Sequence, residues 1–168
     1  GTYCYRVVAI DEAGNAGEAS DEAKATVAGP PPAEPVTLSL TPTADTYVNQ
    51  GAPSATHGAA TSMASRGSLA YTSYLRFTPG TTVPPGMRLL SATLRVYTTT
   101  DPLANSVDRH SVQTVNGDWT EAATTYNNRP ALGSAVLGAL SPSATNTAYS
   151  VDLDPAAVSA ALSESVDL

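Results

Sequence analysis

Lysine is nearly missing from this chain. Lys24 is the only one, so beyond it every strong cation is an arginine. Charged residues of both signs make up 14%, against about a quarter in ordinary soluble domains. The net charge is −7, which argues against nucleic acid or an anionic membrane as partner, since both need a basic surface. No apolar run approaches the ~20 residues of a membrane span. A single cysteine, Cys4, has no partner within the chain, so a bridge to a cysteine elsewhere and a free thiol are both open. The two histidines, His57 and His110, are too far apart for a helical metal motif. There is no GxSxG elbow and no glycine-rich phosphate loop. Asp118 and Glu121 flank Trp119 and are the one pair that resembles a glycosidase carboxylate couple. Capping a turn, or pairing with Arg129, is the simpler role for acidic side chains that are usually solvated. The expectation is therefore no enzyme active site and no obligatory cofactor.

What the chain does have is Ser, Thr and Ala in quantity and a strong period-two pattern. The most informative stretch is Tyr71 to Tyr97, YTSYLRFTPGTTVPPGMRLLSATLRVY. Leu75 and Phe77 alternate with Tyr74 and Arg76; Ala92, Leu94 and Val96 alternate with Thr93, Arg95 and Tyr97. Such alternation describes two strands, each burying one face. Pro79, Gly80, Pro84, Pro85 and Gly86 separate them, and prolines without an N–H forbid a regular ladder there. If the two strands are neighbours, Tyr74, Arg76, Arg95 and Tyr97 share the outer face. Arginine offers a planar fork for carboxylates, and tyrosine a ring with a hydroxyl. These four are the candidate binding residues, and their chemistry suits an acidic sugar such as a uronate. The alternative is a solvated outer face whose arginines pair with nearby acids.

The same stretch resembles the central signature of the DNRLRE-type domain, grouped with carbohydrate-binding module family 96. TADTYV at Thr43 to Val48, WTEAATTYNNRPALG at Trp119 to Gly133 and YSVDL at Tyr149 to Leu153 fit the pattern in order. The resemblance runs from about Val36 to the end. It departs where the family usually shows an Asn-Tyr-Gly-like step, here Thr56-His57-Gly58. The resemblance implies a non-catalytic polysaccharide-binding module that targets an attached catalytic domain to acidic, alginate-like polysaccharide. It also makes Trp119 a framework residue rather than a stacking platform. Two other readings stay open: a structural spacer or adhesion module of a cell-surface protein, and part of a disaggregatase-like enzyme that cleaves polysaccharide.

Three segments are expected. Residues 1–27 alternate about a turn at Asp11 to Gly17 and resemble the last strands of a fibronectin type III domain, with Tyr3 at its tyrosine corner. Two such strands cannot bury much by themselves. Residues 28–35, AGPPPAEP, read as a stiff proline-rich linker. The resemblance implies the layout common in secreted bacterial polysaccharide-degrading enzymes, modules on such spacers, and with it an extracellular location.

Residues 36–168 are the module itself. The fold expected is all-β, an antiparallel jelly-roll β-sandwich. Strands are predicted at Val36–Leu40, Thr46–Asn49, Ser62–Ser65, Tyr71–Phe77, Thr93–Thr98, Arg109–Val115, Ser134–Leu140 and Thr147–Leu153. Trp119–Asn128 is predicted as extended before a loop. Asp154 and Pro155 announce one short helix as N-cap and first residue. Ser165 to Leu168 reads as a strand cut short, with closing strands expected to follow. For Asp45 a turn-capping role is the simpler reading. The alternative is a structural Ca²⁺ held with Asp152 or Asp154, which would need six to eight oxygens.

Overall fold

The computed structural model describes residues 1–29, 34–79, 88–161 and the short strand at 166–167. The chain divides into two compact units, Gly1–Leu38 and Ser39–Leu168.

The first unit is a long, broken hairpin. One arm is β1 (Thr2–Tyr5) and β2 (Val8–Ile10); the other is β3 (Ala16–Ala19) and β4 (Ala23–Thr26). β1 pairs with β4 and β2 with β3, all antiparallel. The tip is built by Asp11. Its carboxylate accepts from the amides of Ala13 (3.0 Å) and Asn15 (2.8 Å) and from the Asn15 side chain (2.9 Å), while Gly14 takes a φ of 87° that suits glycine. These bonds, the Asn15 side chain first, hold the Asp11 carboxyl below its ordinary range. Every described residue of this hairpin is exposed. Ala16–Ala19 was too poor in apolar residues to read as a strand; it forms because the turn delivers it opposite β2.

The second unit is an antiparallel β-sandwich. Its strands are β5 (Ala44–Asn49), β6 (Tyr71–Phe77), β7 (Ala92–Tyr97), β8 (His110–Asn116), β9 (Ala131–Leu140), β10 (Ala148–Leu153) and β11 (Val166–Asp167), with helix α1 (Pro155–Ala161). The ladders run β11–β6–β5, β8–β9 and β10–β7. Leu137, Val151, Leu153 and Val158 form the core, with Leu75 and Phe77 of β6, Ala92 and Leu94 of β7, and Val112 of β8 packed against it. So β6 and β7 bring their aliphatic residues to one core from different sheets. Helix α1 forms as the sequence predicts: the Asp154 carboxylate accepts from the amides of Ala156 (2.8 Å) and Ala157 (3.3 Å), and Val158 faces the core.

Some sequence expectations are corrected. Val36–Leu40 is not a strand, and Val36 and Leu38 are exposed. Alternation there lacks a neighbouring ladder, and without one the backbone pairs with water. Ser62–Ser65 is irregular as well; only a single bridge, Arg66 to Tyr71, forms beside it. Trp119–Asn128 is a series of turns rather than extended chain. Asp101–Asn105, by contrast, forms the turn its sequence suggests, a 3₁₀ turn over Pro102–Ala104 capped by Asp101. β9 starts three residues before the predicted Ser134. The Pro/Gly connection at 80–87 lies outside the described residues.

Candidate functional site

The two arms of the Tyr71–Tyr97 stretch have different surroundings. β6 is covered on both faces. Its Leu75 and Phe77 meet the main core, and its Tyr74 joins a second cluster with Val48 and Trp119. That cluster exists because the segment 117–130 folds over the strand. The segment holds itself in shape with short polar bonds. Thr124 is buried and its hydroxyl donates to the Thr120 carbonyl (2.7 Å). Asn128 Oδ1 accepts from the Thr125 amide (2.6 Å), and Asn128 Nδ2 donates to the Ala123 carbonyl (3.0 Å). Asn127 reaches across, donating from its amide to Pro53 O (3.0 Å) and from its side chain to Ser54 Oγ (3.1 Å).

Tyr74 is therefore a core residue. It is 1% exposed, its ring lies 5.9 Å from Trp119, and its hydroxyl donates to Pro130 O (3.3 Å). Burial raises its pKa; the charge of Arg129 pulls the other way. Arg76 stacks its guanidinium 4.7 Å over the Trp119 ring and donates from Nη2 to Trp119 O (3.2 Å). Trp119 is buried, in keeping with a framework role.

β7 is different. It pairs with β10 and shares no ladder with β6 among the described residues. The grouping of all four candidates on one face is thus corrected: Tyr74 and Arg76 lie under the 117–130 segment, while Arg95 and Tyr97 stand in the open. Thr93, Arg95 and Tyr97 point outward, opposite Asp152, Ser150 and Ala148, all exposed. The cross-strand partners of Arg95 and Tyr97 are short, so neither is covered. Tyr97 is 64% exposed and its hydroxyl donates to Asn146 Oδ1. Asn146 sits in the left-handed region at φ 52°, which asparagine tolerates. Thr98 Oγ1 bonds both the amide and the carbonyl of Thr147, at 2.9 and 3.1 Å. The end of the ladder that carries Tyr97 is held on both sides.

Six arginines belong to this unit. Arg66 lies over Tyr71 at 4.9 Å, Arg76 over Trp119, and Arg129 over Tyr126 at 3.7 Å. The other three are Arg88, Arg95 and Arg109. Arg95 makes no ion pair, hydrogen bond or ring contact with the described residues. A ligand would meet a bare guanidinium beside an exposed ring, both on a rigid ladder.

The model of carbohydrate-binding module family 96 matches residues 36–166. The chain belongs to that family. Among curated proteins no match was found.

In this module the departure at Thr56-His57-Gly58 has a visible result. The His57 ring lies flat on Tyr47, with centroids 4.1 Å apart and planes 13° apart, and Tyr47 in turn neighbours Tyr71. Gly58 abuts Glu121 so closely that a Cβ would overlap its carbonyl. Glu121 Oε2 accepts from the Asp45 amide (3.4 Å) rather than joining Asp118, and Arg129 prefers the Tyr126 ring to either acid. Asp154 caps α1, and Asp152 accepts from the Thr93 hydroxyl (3.3 Å). Among the described residues no three His, Cys, Asp or Glu side chains gather as a metal site.

The burial of Tyr74 could have been suspected from the length of WTEAATTYNNRP. A loop of that size with one tryptophan needs something apolar to sit on.

Proposed function

We propose that this carbohydrate-binding module holds an acidic, alginate-like polysaccharide on the outer face of β7 and β10, with Arg95 and Tyr97 as the contacts. The observation that carries the reading is the bare, exposed Arg95 beside the exposed Tyr97 ring. The Tyr ring offers a face for a sugar's C–H bonds, and the fork offers two parallel donors to a carboxylate. The net charge of −7 does not forbid this. Screening limits long-range repulsion to about 8 Å at physiological salt, so the local contact decides.

The module itself is non-catalytic in this reading. It serves a secreted multidomain bacterial protein, anchoring an attached enzyme to its substrate, and the hairpin at residues 1–27 is the end of a fibronectin type III domain. The proline-rich run AGPPPAEP, which follows the hairpin in sequence, supports such a layout.

Affinity electrophoresis in alginate and in a neutral glucan tests the binding. The wild type should be retarded by alginate alone. An exposed ion pair contributes only ~0.2–1 kcal/mol, so Arg95→Gln should weaken retention by up to about fivefold, as 1.4 kcal/mol is tenfold. Arg95→Lys should lose nearly as much, because the charge stays while the fork goes. Equal retardation of all three proteins, or stronger retention on the glucan, would overturn the assignment.

A further inference from the structure

One exposed arginine is a weak handle, so a module that relies on arginine needs more than one. A shallow groove opens where the outer face of β7 and β10 begins. Arg88, Leu90, Asp154, Pro155 and Ser159 line it, around an open volume of ≈490 Å³. Its position follows from the register. Asp152 points outward opposite Thr93, Leu153 points into the core opposite Ala92, and Asp154 resumes the outward set one step further. On the β10 side the groove therefore continues the face that carries Arg95, while Arg88 and Leu90 lie in the irregular chain just before β7. Two outward steps separate the Arg95 row from Asp154, about 13 Å at ~3.3 Å per residue, more than one sugar ring. Arg88 is exposed at the groove and makes no ion pair, hydrogen bond or ring contact with the described residues.

We propose that Arg88 and Arg95 are two carboxylate-reading subsites of one track along β7, so that the module recognises an oligouronate by the spacing of its acid groups. This rests on the reading that the β7–β10 face binds acidic sugar.

The acids between the two arginines give the track its selectivity. Asp152 stands on the face between Arg95 and the groove, and Asp154 stands in the groove itself. Both repel a carboxylate placed over them. Both also have acceptor capacity left, since Asp152 is bonded to one threonine hydroxyl and Asp154 uses one oxygen for the helix amides. A sugar chain fits this pattern when hydroxyls fall over Asp152 and carboxylates fall at Arg88 and Arg95. A densely sulfated polymer places anions over Asp152 and does not fit. Linked subsites also raise affinity with chain length, because the second contact forms at high effective concentration.

Isothermal titration of uronate oligomers, from monomer to hexamer, tests this on the wild type, Arg88→Gln, Arg95→Gln and Asp152→Asn. Wild-type affinity should rise at least tenfold between the shortest oligomer bound and the hexamer. Arg88→Gln should leave the shortest oligomer unchanged and remove most of that rise. Arg95→Gln should weaken every length. Asp152→Asn should raise binding of a sulfated glucan severalfold. If Arg88→Gln changes no length, or all lengths equally, the track is overturned while the Arg95 face stands. If Arg95→Gln has no effect, or the wild type binds no uronate, the Arg95 face falls and the track falls with it.

Discussion

β6 and β7 carry mirror-image patterns, Tyr74-Leu75-Arg76 and Arg95-Val96-Tyr97, yet one outer face is a second core and the other is open surface. The strands themselves do not make the difference. Across β6 lies the 117–130 segment with Trp119; beside β7, among the described residues, lie Asp152, Ser150 and Ala148 of a neighbouring strand. An arginine over a buried tryptophan stabilises the fold, whereas an arginine over short polar side chains is free for a ligand. The same residue type thus braces the fold on one strand and, in the proposed reading, meets the ligand on the other. Substitutions that separate stability from binding can break this comparison.

Removing the cover should have the largest effect. Trp119→Ala is expected to cost ~3–5 kcal/mol, the range for losing a large buried aromatic. Denaturant melts measure it. Trp119→Phe should cost much less, because Nε1 is buried without an acceptor among the described residues and the phenyl ring removes that orphan donor. A cost for Trp119→Ala below about 0.5 kcal/mol, the size usual for a surface site, would mean that the 117–130 segment does not seal β6.

The seam between loops comes next. Gly58→Ala forces a Cβ into the Glu121 carbonyl, and backbone cannot swing aside like a flexible side chain. Overpacking of this kind costs ~1–3 kcal/mol. Gly133 and Gly138 face similar contacts with Thr114 and with Asp152 O, so Gly58→Ala tests the seam specifically only if the Tyr47–His57 stack is perturbed as well. Loss of the ring-current shift on His57 by NMR would show that.

The paired arginine test contrasts the two faces directly. Arg76→Gln should lower stability by ~1–2 kcal/mol, from the lost cation–π contact and the hydrogen bond to Trp119 O. It should leave sugar binding intact in the folded fraction. Arg95→Gln should lie within about ±0.5 kcal/mol in stability, as exposed sites do, and weaken binding severalfold. The reverse pattern would exchange the roles of the two strands.

Much of this molecule was legible in the chain. The strands β5, β6, β7, β8 and β10 and the helix with its cap follow from alternation, proline and a capping aspartate, and the buried Trp119 from the family resemblance. The mistakes have one physical origin. Period two tells which residues share a face of a strand, but not what lies across that face. Val36 and Leu38 alternate like core residues and are exposed, because no ladder receives them. Tyr74 and Arg76 alternate like surface residues and are covered, because a distant segment folds over them. Ala16–Ala19 shows no pattern and pairs anyway, because the Asp11 turn brings it into register. In each case the missing information was a contact far away in sequence. Arg95 and Tyr97 were read correctly as outward-facing because their neighbours across the ladder, Ser150 and Ala148, are too small to hide them.

The smallest expected effect isolates the covered face by its titration. Tyr74 donates its hydroxyl proton to Pro130 O, and burial raises its pKa. Tyr74→Phe keeps the ring against Trp119 and Val48 and removes only that bond, a loss of ~0.5–1.5 kcal/mol at neutral pH. The sign at high pH follows from linkage. A folded-state pKa above the unfolded one means that the unfolded chain loses this proton first, so its contribution is complete below the ordinary tyrosine pKa of about 10. It is then lost as pH rises through the folded value. The wild type should therefore lose stability faster than Tyr74→Phe above pH ~10, and the two curves should converge. Denaturant titrations at several alkaline pH values compare the two proteins. If the wild type and Tyr74→Phe show the same alkaline slope, Tyr74 is solvated, and the contrast between the two strands does not hold.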